Sequence, residues 1–161
     1  MNIYLIRHSD SEGLSKGMKD FERGLTPEGE IKIRNACLFW QNIITEFDFI
    51  ISSPYLRALQ TAKIIASVYN YKKEIVIDRR IGCGSETDDL IEILNNHQSG
   101  EIAIVGHQPD LSIHVSRLIS GTGASIEFKK AAIAKISFSG KVREGKGVLE
   151  FLVPPGLFIP K

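Results

Sequence analysis

A surplus of either charge is missing from this chain. Its Lys and Arg residues number 20 against 19 Asp and Glu, a formal net charge of +1. With that balance nothing argues for a general polyanion-binding surface of the kind that grips nucleic acid. Any anion site has to be a local cluster. Cysteine is nearly absent, with only Cys37 and Cys83, so there is no disulfide framework. A cysteine-dependent phosphatase would need an arginine six residues after its cysteine, and those positions hold Ile43 and Asp89. No apolar run approaches a membrane span. The start, Met1-Asn2-Ile3, has no basic segment leading into an apolar core, so no signal peptide is expected. No His, Cys or Asp cluster has metal-ligand spacing, and a reaction without metal or other cofactor is expected. The segment from Gly140 to Gly145-Lys146 has P-loop spacing, but Gly147 stands where Ser or Thr is needed, and a strand pattern follows. Repeats, linkers and low-complexity stretches are also missing. The expectation is one domain over residues 1–161, monomeric, cytoplasmic, with reduced thiols and no nucleic-acid or membrane partner.

What the chain does have is 43% hydrophobic residues in short, punctuated runs. Ile3-Tyr4-Leu5-Ile6 is a strand buried on both faces, and it stops abruptly on Arg7-His8. Residues 9–25 form a polar loop containing Gly13, Gly17 and Gly24, and a loop of that length is usually functional or mobile. Thr26-Pro27 opens a helix, with Thr26 as its cap. Ile33, Ala36, Cys37, Trp40, Ile43 and Ile44 follow at helical spacing as its buried stripe. Residues 47–51 read as a second strand, and Ser52-Ser53-Pro54 as another cap-plus-proline helix start, with Arg57 in the first turn. Residues 74–77 read as a third strand. Residues 78–85 form a loop before a helix over about 86–96. Residues 101–105 give a fourth strand, ending at Gly106-His107-Gln108-Pro109 before a further helix. Residues 131–138 and 148–153 have no helix between them and predict a hairpin. The alternation of strand and helix predicts a three-layer α/β/α sandwich, with a mainly parallel sheet and a C-terminal antiparallel hairpin.

Three of the strand-to-helix junctions present a cation or an imidazole: Arg7 and His8 at the first, Arg57 at the second, His107 at the fourth. In open α/β sheets, ligands bind at this edge. The helix N-termini after Ser53 and after Gln108 would add partial positive charge there. Ser9 and Gln108 are further candidates for the rim. Two guanidinium groups and two imidazoles around one spot describe a pocket for a phosphoryl group. Within it, His8 is the candidate nucleophile, and Arg7, Arg57 and His107 bind and stabilise the anion.

Four segments carry a resemblance. They are Leu5-Ile6-Arg7-His8, Leu25-Thr26-Pro27-Glu28-Gly29, Ser52-Ser53-Pro54-Tyr55-Leu56-Arg57-Ala58-Leu59-Gln60-Thr61-Ala62, and Val105-Gly106-His107. In this order they resemble the histidine phosphatase superfamily, the phosphoglycerate-mutase-like group. The resemblance implies that His8 becomes phosphorylated while Arg7, Arg57 and His107 hold the phosphate. Glycine is common after the Arg-His pair in that family, and Ser9 stands there in this chain.

Within the family, mutase-type members take a proton-donating glutamate from a longer segment after the third strand. Residues 78–85 contain no glutamate. Short members without a lid resemble SixA-type phosphohistidine phosphatases. Imidazole leaves phosphorus far more readily than an alkoxide, so a strong general acid can be dispensed with. A phosphohistidine-bearing protein is therefore the expected substrate and partner. The alternatives are a small-molecule phosphomonoesterase on the same site and a catalytically idle phosphoprotein-binding module. Asp10, Glu12, Glu86 and Asp88 are candidate acids, each more simply read as a solvated or helix-start carboxylate. Lys129 and Lys130 read as a solvated rim, Cys37 as core, Cys83 as an ordinary loop thiol, and His97 and His114 as surface residues.

Overall fold

The computed structural model describes residues 1–97 and 100–157. Six strands form one sheet: β1 (Asn2–Arg7), β2 (Phe49–Ser52), β3 (Val76–Ile77), β4 (Glu101–Gly106), β5 (Ile133–Ser137) and β6 (Val148–Val153). Four helices accompany it: α1 (Pro27–Trp40), α2 (Leu56–Val68), α3 (Thr87–Asn95) and α4 (Asp110–Ile119). Along β1 the side chains alternate between two cores, as a strand buried on both faces requires. Tyr4 and Ile6 pack with Ile33, Cys37 and Trp40 of α1 and Ala62 of α2. Ile3 and Leu5 pack with Leu90 and Leu94 of α3 and Val115 of α4. Two helices cover each face, which makes the expected three layers.

The strand order is β3-β2-β4-β1-β5-β6. β1 pairs in parallel with β4, β4 with β2, and β2 with β3. β5 runs antiparallel to both β1 and β6, and its hairpin with β6 is the one predicted. This order puts the carboxyl ends of β2, β4 and β1 side by side, within about 10 Å at ordinary strand spacing. Three junctions far apart in sequence therefore open onto one stretch of rim.

Some local expectations are corrected. Thr26 caps α1 as expected, accepting from the Gly29 N–H at 3.0 Å, but the helix ends at Trp40. Helical spacing no longer applies beyond it, so Ile43 is exposed while Ile44 stays buried. The third strand shrinks to Val76–Ile77 at the sheet edge, with both side chains exposed. Pro54 is not the first residue of α2, which starts at Leu56 after Tyr55, without a side-chain cap. Ser53 is diverted to other partners, described below. His114 is not a surface residue. It is fully buried on α4 between the hydroxyls of Ser85 and Thr87, at 2.9 and 2.8 Å. His97 is half-buried, its ring 4.2 Å from that of Phe49. Among the described residues, no helix is long and apolar enough to cross a membrane.

Candidate active site

The rim places His8, Arg57 and His107 together, all of them buried. His8 leaves the end of β1, and its N–H bonds the Gly106 carbonyl of β4 at 3.2 Å. Its ring Nδ1 lies 2.7 Å from the Ser9 carbonyl, which can only accept. Arg57 Nε, which can only donate, lies 3.2 Å from His8 Nε2. The two contacts assign one tautomer: the proton sits on Nδ1 and the Nε2 lone pair faces the cationic rim. Burial, with the nearby Arg57 and Arg7 charges, lowers the pKa of His8 to about 4. At neutral pH the ring is uncharged, and its Nε2 lone pair carries no proton, only the hydrogen bond from Arg57 Nε that has to give way when it attacks.

His107 stands beside it with a ring separation of 5.2 Å. Its Nε2 shares a 2.7 Å hydrogen bond with the Ser53 hydroxyl. The same hydroxyl oxygen accepts from the Tyr55 N–H at 3.3 Å. Burial and the neighbouring His8 bring the His107 pKa down to about 3, so this ring too is neutral. Arg7 donates from Nη1 to the Phe128 carbonyl at 2.8 Å. Among the described residues, Arg7 Nε, Ser9 Oγ and His107 Nδ1 are buried without a hydrogen-bond partner. Buried polar atoms are rarely left so. Three of them on one rim suit a site that takes a ligand rich in acceptors.

Arg57 is 3% exposed, in the first turn of α2. Its guanidinium is met by a side chain the sequence did not single out. Within the 9–25 loop, Asp20–Glu22 forms a short helical turn. There the Asp20 carbonyl accepts from Arg57 Nη1 at 2.8 Å, and its carboxylate accepts from Nη2 at 3.0 Å. Arg23 holds the same carboxylate at 2.7 Å. The loop is therefore organised. Thr61 Oγ1 accepts from the Ser9 N–H at 3.2 Å, and Gln60 Oε1 from the Leu25 N–H at 2.7 Å. Gln60 and Thr61 lie three and four residues after Arg57, on one helix face. That spacing is the signal that could have marked them as positioning residues for the loop.

Other candidates sit elsewhere. The Gln108 side chain bonds Ser112, with Nε2 donating to Oγ at 2.7 Å and Oε1 accepting from the N–H at 3.1 Å. It caps its own helix, and Asp110 puts a carboxylate in the first turn, so the positive end of α4 is already met by its own chain. Asp10 pairs with Lys32 and, at 3.1 Å, with Lys130, and these cations hold its carboxyl below the usual range against the upward pull of burial. Lys130 is thus engaged, whereas Lys129 stays exposed. Asp88 is exposed and pairs with Arg117 at 3.3 Å. Glu12 and Glu86 are exposed. None of the four is buried. Cys37 is buried in the α1 core, and Cys83 lies 3.4 Å from Arg57 Nη2. Among the described residues, no three His, Cys, Asp or Glu side chains gather to hold a metal.

Comparison with known proteins bears on the family and the fold. The model of the histidine phosphatase superfamily (branch 1) matches residues 3–82. The chain belongs to that superfamily. An uncharacterized protein of Picosynechococcus is 31% identical over 83% of this chain and 82% of its own. A phosphohistidine phosphatase SixA homolog of Haemophilus influenzae is 27% identical over 89% of this chain and 92% of its own. The solved tungstate complex of the protein histidine phosphatase SixA has the same fold, with a TM-score of 0.84, 20% identity, and coverage of 98% of this chain and 99% of that one. The fold is shared more widely. The phosphoserine phosphatase of Entamoeba histolytica, solved with phosphoserine, gives a TM-score of 0.73 at 18% identity over 98% of this chain and 99% of that one. By family, the chain is a phosphatase; fold alone does not select the substrate.

Proposed function

We propose that this chain hydrolyses phosphohistidine on a protein, through a covalent phospho-His8 intermediate and without metal. The observation that carries the covalent step is the 2.7 Å contact between His8 Nδ1 and the Ser9 carbonyl. It leaves Nε2 as the attacking atom. Nε2 forms the new bond to phosphorus while the bond from phosphorus to the substrate imidazole breaks. The substrate ring leaves neutral when its second nitrogen already carries a proton, so no protein acid has to supply one. The phosphorylated His8 ring keeps its proton on Nδ1 and is therefore itself a good leaving group. Water attacks phosphorus, the bond to Nε2 breaks, and His8 returns as it began. The proton lost by the water leaves with orthophosphate or to solvent. Arg7, Arg57 and His107 stabilise the equatorial oxygens during both displacements. Ser9 sits at the same rim, and its hydroxyl is free to donate to an oxygen.

A small-molecule phosphomonoesterase is the second reading, favoured by the fold shared with the phosphoserine phosphatase. An alkoxide leaving group needs a proton donor, and Asp10 and Asp20 are both held as carboxylates by their cationic partners. This favours the phosphohistidine reading. The test is hydrolysis of a phosphohistidine protein, p-nitrophenyl phosphate and a panel of metabolite phosphates, all in EDTA. The expected result is orthophosphate release fastest from phosphohistidine, with a radiolabelled phosphoenzyme that is lost in His8→Ala. Turnover by His8→Ala at the parent rate would overturn the mechanism. Preference for a metabolite phosphate would favour the second reading, and phosphoprotein binding with no turnover at all would mark an idle binding module.

A further inference from the structure

Beside the anion site lies a cleft of about 450 Å³ lined by Phe21, Pro54, Tyr55 and Arg79. It shares Tyr55 with the centre. The Tyr55 ring lies 4.9 Å from the His107 ring and 5.0 Å from the Arg57 guanidinium carbon. Its other wall is Phe21, a large apolar side chain left 47% exposed on the turn that also carries Asp20 to Arg57. The Phe21 and Tyr55 rings meet at 68° with centroids 6.4 Å apart. Rings set this way form a corner, in which a third planar group can stack on one face and meet the other ring's edge. Arg79 closes the cleft as an exposed cation. Its neighbour Arg80 is committed to Asp78 and Glu92, whereas Arg79 has no ion-pair partner among the described residues.

We infer that this cleft is the leaving-group subsite, taking the imidazole ring of the phosphorylated residue against Phe21 and Tyr55 and a neighbouring carboxylate of the same substrate chain at Arg79. The inference rests on the phosphohistidine reading above and adds to it the sequence context of the substrate. The lining agrees with this occupant. Aromatic and proline faces suit a flat ring, and of the four lining side chains Arg79 and Tyr55 alone carry groups that could bond a sugar's hydroxyls. The guanidinium is the matched partner for a planar carboxylate. A ring held in the cleft would keep its phosphoryl group against Arg57 and His107, which border the same tyrosine.

The test compares three substrates in steady state: phosphoramidate, which has the phosphorus–nitrogen bond but no ring, and two phosphohistidine peptides, one with aspartates beside the histidine and one with alanines. The parent chain is expected to prefer the acidic peptide severalfold. Phe21→Ala is expected to lower kcat/KM for either peptide, relative to phosphoramidate, at least tenfold, through KM. Arg79→Gln is expected to bring the acidic-over-neutral preference to about one. If the parent cleaves phosphoramidate but neither peptide, the phosphohistidine reading fails and the subsite falls with it. If the parent cleaves the peptides and the variants leave both ratios as they were, the subsite alone is wrong.

Discussion

Arg57 Nε donates to His8 Nε2 at 3.2 Å, so one guanidinium guards the nucleophile's lone pair while its other nitrogens reach toward Asp20. The contact ties anion binding to the protonation state of the attacking ring. Burial is the main cause of the low His8 pKa, and the Arg57 charge adds to it. In Arg57→Gln that charge is gone, and the His8 pKa rises from about 4 toward its ordinary value. The neutral ring is the reactive one. The acid limb of the kcat/KM profile is therefore expected to move to higher pH, while kcat/KM on the plateau falls about a hundredfold to a thousandfold. A limb that stays in place in the variant would remove the coupling.

Asp20 competes with substrate for Arg57. Its carboxylate already occupies Nη2 at 3.0 Å, and an arriving phosphoryl oxygen has to displace it or share the guanidinium with it. The Asp20 side chain is 49% exposed, so the pair is partly screened. Asp20→Asn is expected to tighten orthophosphate and vanadate inhibition by about threefold to tenfold, the effect of a pair worth roughly 1 kcal/mol. Inhibition constants measured at two salt concentrations check this. Weaker inhibition in the variant would mean that Asp20 orients Arg57 for the anion instead of opposing it.

How much of this was legible in the sequence depended on the range of the interaction. β1 and the run into Arg7-His8 could be read because burial on both faces leaves a continuous apolar stretch. The gathering of His8, Arg57 and His107 followed from strand-to-helix alternation. Asp20 and Tyr55 could not be read, because each owes its place to a contact across the fold. Ser53 looked like a helix cap because Ser-Pro usually marks one, yet its hydroxyl is drawn to His107 at 2.7 Å and Tyr55 becomes the cap. Gln108 looked like a rim residue but bonds its own helix. His114 fell on the inner side of α4, where the spacing of Leu111, Val115 and Leu118 already implied a buried neighbour.

Gly29 shows what the Leu25-Thr26-Pro27-Glu28-Gly29 segment does. A Cβ built there would lie 2.1 Å from the Asp10 carbonyl oxygen, a backbone atom that cannot swing aside. The same carbonyl accepts from the Thr26 N–H at 3.0 Å. The loop leaving His8 is thus laid directly on the first turn of α1. Gly29→Ala is expected to push the loop away and cost about 2–4 kcal/mol, lowering Tm by roughly 5–15 °C for a chain of this size. Activity is expected to fall further than stability alone explains at temperatures where the variant is folded, because the displaced loop carries the Ser9 carbonyl that orients His8. A variant as stable and as active as the parent would show that the loop is not seated on the helix in solution.

His114 links acid stability to the loop beside the site. Its ring bonds Ser85 and Thr87, and Asp110 one turn earlier accepts from the Gly84 N–H at 2.8 Å, so α4 pins the segment that lays Cys83 against Arg57. Burial lowers the His114 pKa from 6.5 to about 4. Between those values the unfolded chain binds a proton that the folded chain does not. Stability is therefore full above pH 6.5, falls as the pH drops toward 4, and falls no further from this group below that. A shift of this size corresponds to about 3 kcal/mol. His8 and His107 add slopes of the same sign, since burial lowers both. His114→Gln is expected to be less stable than the parent at pH 7.5 and to lose about 3 kcal/mol less on going to pH 4. Urea unfolding across that range measures both curves. Parallel curves would mean that the His114 proton is not excluded by the fold.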